Sequence, residues 1–553
     1  MKVVIVGGVA GGASAAARIR RLDENAQIVM FDRSGFVSYA NCGLPYYVGG
    51  VITNPRELTL QTPESFWSRF RVDVRVRHEV TAIDTEKKTV TACELETGRI
   101  YEENYDKLIL SPGAKPVCPE AFDLTGDRIF TLRTVEDTHS LHSFVRTKKP
   151  ASAIIAGGGY IGLEIAENLL QLGVSVSIIQ KPKHLLAPLD YDMACLVHSL
   201  FMKKGARLLL EKSVSSIKQD ADTVRVKTDD GLELTADMVV LAIGVTPDTK
   251  LAKDAGLALG AKNSILVNER METSVPDIYA VGDAVTVNHF VTGLSTLLPL
   301  AGPANKQGRI AADNVCGGSS VYHGSQGSSV IKLFDLTVAT TGINETAAKA
   351  ANIDYERIVL SPLSHASYYP GGTAMTMKVL YERQTQKLLG AQIIGSDGVD
   401  KRIDVLATAI RAQLKATELC ELDLAYAPPY SSAKDPVNMA GFMIENLVTG
   451  KVAQFHHDEI DRLPRDGSVT LLDTRTPGEF SRGHADGFFN IPLDDLRERL
   501  SELPKDKPVY VMCQSGLRSY VACRILSQNG YRCYNFSGGY RFYSLVRQDQ
   551  TKK

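Results

Sequence analysis

No uninterrupted apolar stretch in the 553 residues approaches the ~20 residues that a helix needs to cross a bilayer, so the chain offers no membrane span. Charge of one sign is missing too. Sixty-two Lys and Arg stand against 63 Asp and Glu, a net charge of −1, and no broad field draws the chain to nucleic acid or anionic lipid. The cysteines at 42, 93, 118, 195, 316, 420, 513, 523 and 533 lack the paired spacing of a metal site. Odd in number and scattered, they suit a reducing compartment better than a disulfide framework. Met1-Lys-Val-Val-Ile-Val6 enters a strand directly, without the apolar core and cleavage site of a secretory signal. These absences predict a cytoplasmic protein with no metal, nucleic-acid or membrane partner. What remains is ordinary globular composition, 44% apolar and 23% charged, in a chain long enough for about three to four domains.

The first residues carry chemistry. Val3-Val-Ile-Val-Gly-Gly8 reads as a short buried strand running into a glycine turn, followed by an alanine-rich helix to about Leu22. Gly7, Gly12 and the small Ala13, Ala15 and Ala16 let backbone approach a pyrophosphate at the helix N-terminus. Val9 stands where a second glycine is usual. Asp32 closes the next strand, 20 residues after Gly12, where a carboxylate can hold a ribose diol. Arg18, Arg20 and Arg21 cluster on the helix; Arg18 and Arg21, three apart, share a face and can reach a phosphorylated substrate. Asp106–Ala114 reads as an apolar strand with a small-residue turn.

A single cysteine, Cys42, sits in Ser38-Tyr-Ala-Asn-Cys-Gly-Leu-Pro-Tyr-Tyr47. Small neighbours, Gly43 and Pro45 suit a bent backbone that brings a thiolate against something planar. Ser38 and Asn41 could donate to that thiolate or to a substrate. The thiolate is the reactive form, and a helix N-terminus or basic groups would lower its pKa; the other reading is a small packed hydrophobe.

The strand–glycine–helix device recurs at Ala153–Glu164 with Gly157, Gly159 and Gly162, followed by strand Val174–Ile179. Two such units imply two dinucleotides, and the natural pair is FAD with a nicotinamide. Gln180 ends the second strand in place of the carboxylate that favours NADH; Lys181 and Lys183 lie nearby, which leaves NADPH and NADH both open. Ser274–Asp283 is a short strand ending in Gly282-Asp283, a carboxylate suited to flavin ribityl hydroxyls. Leu300–Arg309 begins a helix whose dipole could face the flavin pyrimidine. Further on, 330–339 and 374–381 alternate like antiparallel strands, and Val399–Lys415 reads as an amphipathic helix.

This architecture resembles the flavoprotein disulfide reductase superfamily. The segment Ser38–Gly49 is similar to the single-cysteine branch, which holds coenzyme A-disulfide reductases and the NADH peroxidases and oxidases. Tyr47 occupies the place of the second cysteine in Cys-x4-Cys reductases, so Cys42 must pair with substrate sulfur as a mixed disulfide or with oxygen as a sulfenate. The resemblance implies a dinucleotide contact set: Gly7, Gly8, Ala10, Gly11, Gly12, Asp32, Ser111, Pro112, Gly113, Gly157, Gly159, Tyr160, Ile161, Gly162, Gln180, Gly244, Gly282, Asp283, Pro299 and Ala301. It implies substrate contacts at Ser14, Arg18, Arg21, Ser38, Asn41, Gln61, Arg71, Asn305 and Lys434. Tyr368 and Tyr426 match a tyrosine pair at the thiol site of coenzyme A-disulfide reductases; His365 keeps the flavin-peroxidase alternative open.

In the C-terminal part, Asp473-x-Arg475, Glu479-Phe480 and Gly483-His484 precede Cys513-x2-Gly516-x-Arg518-Ser519, whose backbone N–H groups make an anion nest with Arg518 beside it. This part is similar to a rhodanese. Cys-x4-Arg suits a sulfur atom, whereas phosphate cradles use Cys-x5-Arg. Cys523 and Cys533 read as core.

The implied fold is α/β: two Rossmann-like dinucleotide-binding domains, an α+β dimerisation domain and a C-terminal α/β rhodanese domain. Expected boundaries are 1–150 with 246–317 for FAD, 151–245 for NAD(P)H, 318–450 for dimerisation and 451–553 for the rhodanese. The implied activity is a homodimeric FAD-dependent NAD(P)H reductase acting on coenzyme A persulfide, polysulfide or coenzyme A disulfide through Cys42, with Cys513 handling sulfane sulfur. Alternatives are an oxidase or peroxidase using a Cys42 sulfenate, or a sulfurtransferase on a flavin scaffold.

Overall fold

Strand Lys2–Val6 is short and apolar because it lies in the middle of a parallel sheet, where both faces are covered. The computed structural model describes residues 1–551. The chain divides into two compact units, Met1–Leu186 with Phe201–Gly327, and Ala187–Leu200 with the chain from Ser328 onward.

The first unit contains the same device twice. One five-stranded sheet runs Ile278–Ala280, Lys107–Leu110, Lys2–Val6, Gln27–Asp32, Val72–Val76, all pairs parallel. The other runs Arg207–Leu210, Ser175–Gln180, Ser152–Ala156, Met238–Leu241, Ile129–Phe130, again all parallel. In each, the chain leaves the central strand through a glycine turn into a helix, Ala10–Leu22 or Tyr160–Gln171. Each half also carries a three-stranded antiparallel sheet, His78–Asn104 and Val214–Ala236.

The second unit holds an antiparallel five-stranded sheet and a parallel one. The stretch 330–339 is a hairpin rather than a single strand: Ser329–Leu333 and Leu336–Gly342 pair across a turn in which Phe334 takes φ +53°. Strand Thr376–Glu382 is buried at every position but the last, so the expected alternation has no solvent face to report. The helix expected to reach Lys415 stops at Arg411; Gln413 turns left-handed and Lys415 bridges to Lys387.

The parallel sheet runs Ala453–Phe455, Cys533–Phe536, Val509–Met512, Thr470–Asp473, Phe489–Asn490. It is seated on the edge strand Tyr355–Leu360. Gln454 donates to the Arg357 carbonyl (2.8 Å), Val359 N–H donates to Ser537 Oγ (2.9 Å), and Arg357 pairs with Asp458 (2.6 Å). At this junction Lys378 is fully buried, with Asp190, Asp192 and Glu345 at 2.9, 2.8 and 2.5 Å. Burial alone would raise Glu345; Lys378 and Arg357 hold it down to about 2.

Lys378, with Arg357 on Glu345, therefore keeps three buried carboxylates tolerable. Removing one partner of such a set leaves uncompensated charge, at a cost of about 3–5 kcal/mol. Lys378→Met is expected to lower the unfolding free energy of the second unit by that order, read from its denaturant midpoint at constant slope and from domain-resolved hydrogen exchange; an unchanged midpoint would show that the carboxylates neutralise themselves by taking up protons.

Candidate functional site

The first glycine turn is built for backbone contact. Gly7 sits at φ +99°, and a Cβ there would lie 2.0 Å from the Ser111 carbonyl oxygen; one at Gly12 would lie 1.9 Å from the Gly7 oxygen. Helix Ala10–Leu22 has no side-chain bond from its N-cap residue, so the N–H groups of Ala10 and Gly11 have no intrahelical partner. Gly8 N–H donates to Asp32 Oδ2 (2.8 Å) and Gly12 N–H to Ser111 Oγ (3.1 Å). Val9, in the place of the missing glycine, adopts φ −100°, outside the left-handed region that would call for glycine. Burial raises the Asp32 carboxyl, while the Gly8 and Ser34 N–H groups oppose this. Close backbone, free helix N–H groups and a strand-end carboxylate fit a dinucleotide.

The second turn repeats the arrangement: a Cβ at Gly157 would meet the Ala242 oxygen at 2.1 Å, and one at Gly162 the Gly157 oxygen at 2.0 Å. Helix Tyr160–Gln171 is likewise uncapped by any side chain. Gln180 does by amide what Asp32 does by carboxylate, accepting from Gly158 N–H at 2.8 Å. The position is thus an acceptor without charge.

The cysteine loop hangs from the first turn. Ser38 N–H donates to the Gly8 oxygen (2.8 Å), and Ser38 itself is left-handed at φ +47°. Cys42 lies in the short turn Asn41–Gly43, ahead of helix Leu44–Gly49 with Pro45 in its first turn, and reaches solvent. Its surroundings correct the expectation of a lowered thiol pKa: burial and then the Glu164 carboxylate push it up, and only Arg133 pulls the other way. Tyr46 donates to Glu164 Oε1 (3.2 Å), and burial raises Glu164 to about 7. Arg133 pairs with Asp283 at 2.5 Å. Tyr47 fills the second-cysteine position by stacking on His142, ring centroids 4.5 Å apart.

Beside this loop is a cavity of about 370 Å³ whose wall includes Ser14, Arg18, Arg21, Ser38, Gln61 and Asn305. All six were expected from the sequence. Phe66, Phe70 and Arg309 also line it, with Ala13 and Ala17, and were not expected as substrate contacts. Arg18 is tied to Asp313 (2.7 Å). Arg20 is structural: it is buried and donates to the carbonyls of Phe70, Asp23, Glu24, Ala26 and Arg71. Arg71 lies off the wall, over the Trp67 ring at 5.5 Å, and Asn41 does not line it either.

In the second unit Tyr368 and Tyr426 are exposed and joined through their hydroxyls at 2.7 Å. His365 is buried, edge-on to Tyr369, and not part of that pair. Tyr430 and Leu363 add to the exposed apolar groups of this unit. Lys434 belongs to the second unit, whereas the cavity residues belong to the first.

Cys513 ends strand Val509–Met512 and is fully buried. Gly516 N–H (3.1 Å) and Ser519 Oγ–H (3.2 Å) both donate to its sulfur. The loop needs glycine at 516, where φ is +98°. Arg518 turns away from the expected nest position to fork onto Glu479 at 2.7 and 2.8 Å, and holds that carboxyl at about 2. Arg475, also buried, pairs with Asp473 at 2.8 Å and lies 3.9 Å over the Tyr540 ring.

Sequence reasoning passed over Glu164 and Arg133, and it read Glu479 as part of the rhodanese-like motif without its pairing to Arg518. Glu164 was visible as the carboxylate one helical turn after Tyr160; nothing local marked Arg133, which arrives from 91 residues beyond Cys42. Glu164 is ionised above neutrality and repels a Cys42 thiolate. Glu164→Gln is therefore expected to move the pH midpoint of Cys42 alkylation downward and speed alkylation at pH 8. A midpoint that stays in place would remove Glu164 from the field of the thiol.

Comparison with known proteins agrees with this geometry. Residues 1–308 match the family model described as pyridine nucleotide-disulphide oxidoreductase, 328–436 its dimerisation domain, and 456–544 a rhodanese-like domain. The chain is 35% identical over 447 residues to a coenzyme A disulfide reductase of Staphylococcus haemolyticus, covering 81% of this chain and 100% of that one. The crystal structure of reduced Bacillus anthracis CoADR-RHD superposes with TM-score 0.96 at 47% identity, over 99% of this chain and 98% of that one. A NAD-dependent persulfide reductase from A. fulgidus gives TM-score 0.92 at 37% identity, over 98% and 100%. The chain belongs to the pyridine nucleotide-disulphide oxidoreductase family, in a form that carries a C-terminal rhodanese domain.

Proposed function

We propose that the protein is an FAD-dependent NAD(P)H reductase of coenzyme A persulfide, polysulfide and coenzyme A disulfide, with the rhodanese domain handling sulfane sulfur. One observation carries the reading: a lone cysteine, without a partner thiol, stands on the same segment as the wall of a cavity that holds Arg18, Arg21 and Arg309. Such a cavity suits a phosphorylated thiol carrier whose sulfur end reaches Cys42. The similarity to a coenzyme A disulfide reductase and a persulfide reductase supports the choice of substrate.

Bound FAD would supply two-electron transfer from the nicotinamide to sulfur at Cys42. Gly7–Gly12, Asp32, Ser111 and Asp283 would hold it, and Gly157–Gly162 with Gln180 the nicotinamide dinucleotide. The neutral Gln180 leaves a 2′-phosphate unopposed, so both NADPH and NADH are kept as donors. The Cys42 thiolate attacks the substrate sulfur–sulfur bond. With a persulfide it takes the sulfane sulfur and displaces the coenzyme A thiolate; with a disulfide it forms a mixed disulfide and displaces one thiol. The boundaries given above for the four domains, and a homodimer in which Tyr368 and Tyr426 act at the Cys42 site of the neighbouring subunit, belong to the same proposal. Their exposure on a unit that matches a dimerisation domain supports it.

The test is a steady-state comparison of coenzyme A persulfide, coenzyme A disulfide, polysulfide and oxygen as acceptors, with the yellow holoenzyme. Cys42→Ser is expected to abolish NAD(P)H turnover on every thiol substrate while sulfur transfer from thiosulfate persists. Cys513→Ser should abolish that transfer and spare reduction of coenzyme A persulfide. NAD(P)H consumption that proceeds with oxygen alone would instead favour the oxidase.

The paired change Tyr368→Phe with Tyr426→Phe should slow substrate reduction while leaving reduction of the flavin by NAD(P)H nearly intact. Parental turnover in the double variant would make the tyrosines packing residues.

A further inference from the structure

The rhodanese domain holds two more thiols that the proposed reaction does not use. Cys523 lies on helix Leu517–Gln528, one turn after Ser519 and on the same face, and Ser519 donates to the Cys513 sulfur. Cys533 opens the neighbouring strand Cys533–Phe536. Its Sγ donates to the Cys523 carbonyl at 3.2 Å, which places the two residues side by side, and each thiol perturbs the ionisation of the other. Cys523 is 1% exposed, whereas Cys533 is only part-buried, so one member of the pair is reachable and the other is not. Their ionisation is split in the same sense. The Cys523 thiol and then Arg524 favour the Cys533 thiolate, while burial and the neighbouring Cys533 push Cys523 far up.

We infer that Cys523 and Cys533 form a redox-active dithiol that takes sulfane sulfur and closes to a disulfide. The inference rests on the proposed persulfide substrate for the identity of the oxidant. Cys533 thiolate attacks the terminal sulfur of a persulfide RS–SH and displaces RS⁻, leaving Cys533–S–SH. Cys523 then attacks the Cys533 Sγ and displaces HS⁻. In sum, two protein thiols and RS–SH give the Cys523–Cys533 disulfide, RSH and H₂S; the sulfane sulfur is reduced and the thiols are oxidised. No electrons pass through Cys42 or Cys513, so the pair would be spent once and would await an external thiol. A surplus of sulfane sulfur over reductant would thus be recorded as a disulfide behind the Cys513 loop.

The experiment uses flavin-loaded full-length Cys42→Ser/Cys513→Ser protein, treated in one arm with coenzyme A persulfide and in another with diamide. Expected from the persulfide arm are a link between tryptic peptides Ser519–Arg524 and Cys533–Arg541, lighter by two hydrogens, and about one equivalent of sulfide per chain. Adding Cys533→Ser, a substitution at the part-buried member, should remove both while leaving reductase turnover unchanged on the parental background. Linking by diamide alone overturns the sulfane-sulfur chemistry, and linking by neither reagent overturns the pair. Parallel assays of parental NAD(P)H turnover on persulfide keep the two ideas apart: a link without turnover breaks only the proposed reductase function.

Discussion

Two backbones approaching closer than any side chain permits is the constraint on which this protein turns. At Gly7 and Gly12, and again at Gly157 and Gly162, an added Cβ would fall about 2 Å from a carbonyl oxygen. That approach lets strand Lys2–Val6 run straight into helix Ala10–Leu22 with the N–H groups of Ala10 and Gly11 left without an intrahelical partner. Asp32 and Ser111 are held on the same turn through Gly8 and Gly12, and Ser38 through the Gly8 oxygen. The cysteine loop is therefore positioned by the nucleotide turn itself. Any side chain at Gly7 would disturb cofactor contact and cysteine placement together.

Charge is used mainly to fix geometry. Arg133 is committed to Asp283, Arg518 to Glu479, Arg475 to Asp473, and Lys378 to three carboxylates. Two consequences follow for sulfur. The Cys513 sulfur is addressed by neutral donors, Gly516 N–H and Ser519 Oγ–H, because the nearby guanidinium is occupied. The Cys42 thiol meets a carboxylate and partial burial, so the protein groups alone disfavour its thiolate. Substrate and cofactor chemistry, rather than a preformed cation, would then have to draw the thiolate out.

Motifs and periodicity were enough for much of this. Gly7–Gly12 with Asp32, Gly157–Gly162, the single Cys42 with Tyr47 five residues on, and Cys513-x4-Arg518 each depend on residues close in sequence, and their local geometry follows from steric and hydrogen-bonding rules. Arg18, Arg21 and Ser38 were legible from local spacing, Ser14, Gln61 and Asn305 only through the family resemblance, and all six meet on one cavity wall. Missed were groups that arrive from a distance, Arg133, Glu164 and Arg309, whose roles exist only once separate segments are packed. Strand Thr376–Glu382 was legible as an antiparallel strand, but its burial at all positions but the last was not.

The sequence by itself determined which backbone turns could take a dinucleotide and which sulfurs could do chemistry, because those properties reside in φ, in the missing Cβ and in the lone thiol. Only the tertiary structure decided what each charge and thiol faces. Arg71 went to Trp67, Arg20 to five carbonyls and Arg518 to Glu479, while Cys523 and Cys533 came together from helix and strand. The reason is physical: a side chain's pKa and partners depend on distances of a few ångströms between residues tens of positions apart, and those distances are set by packing.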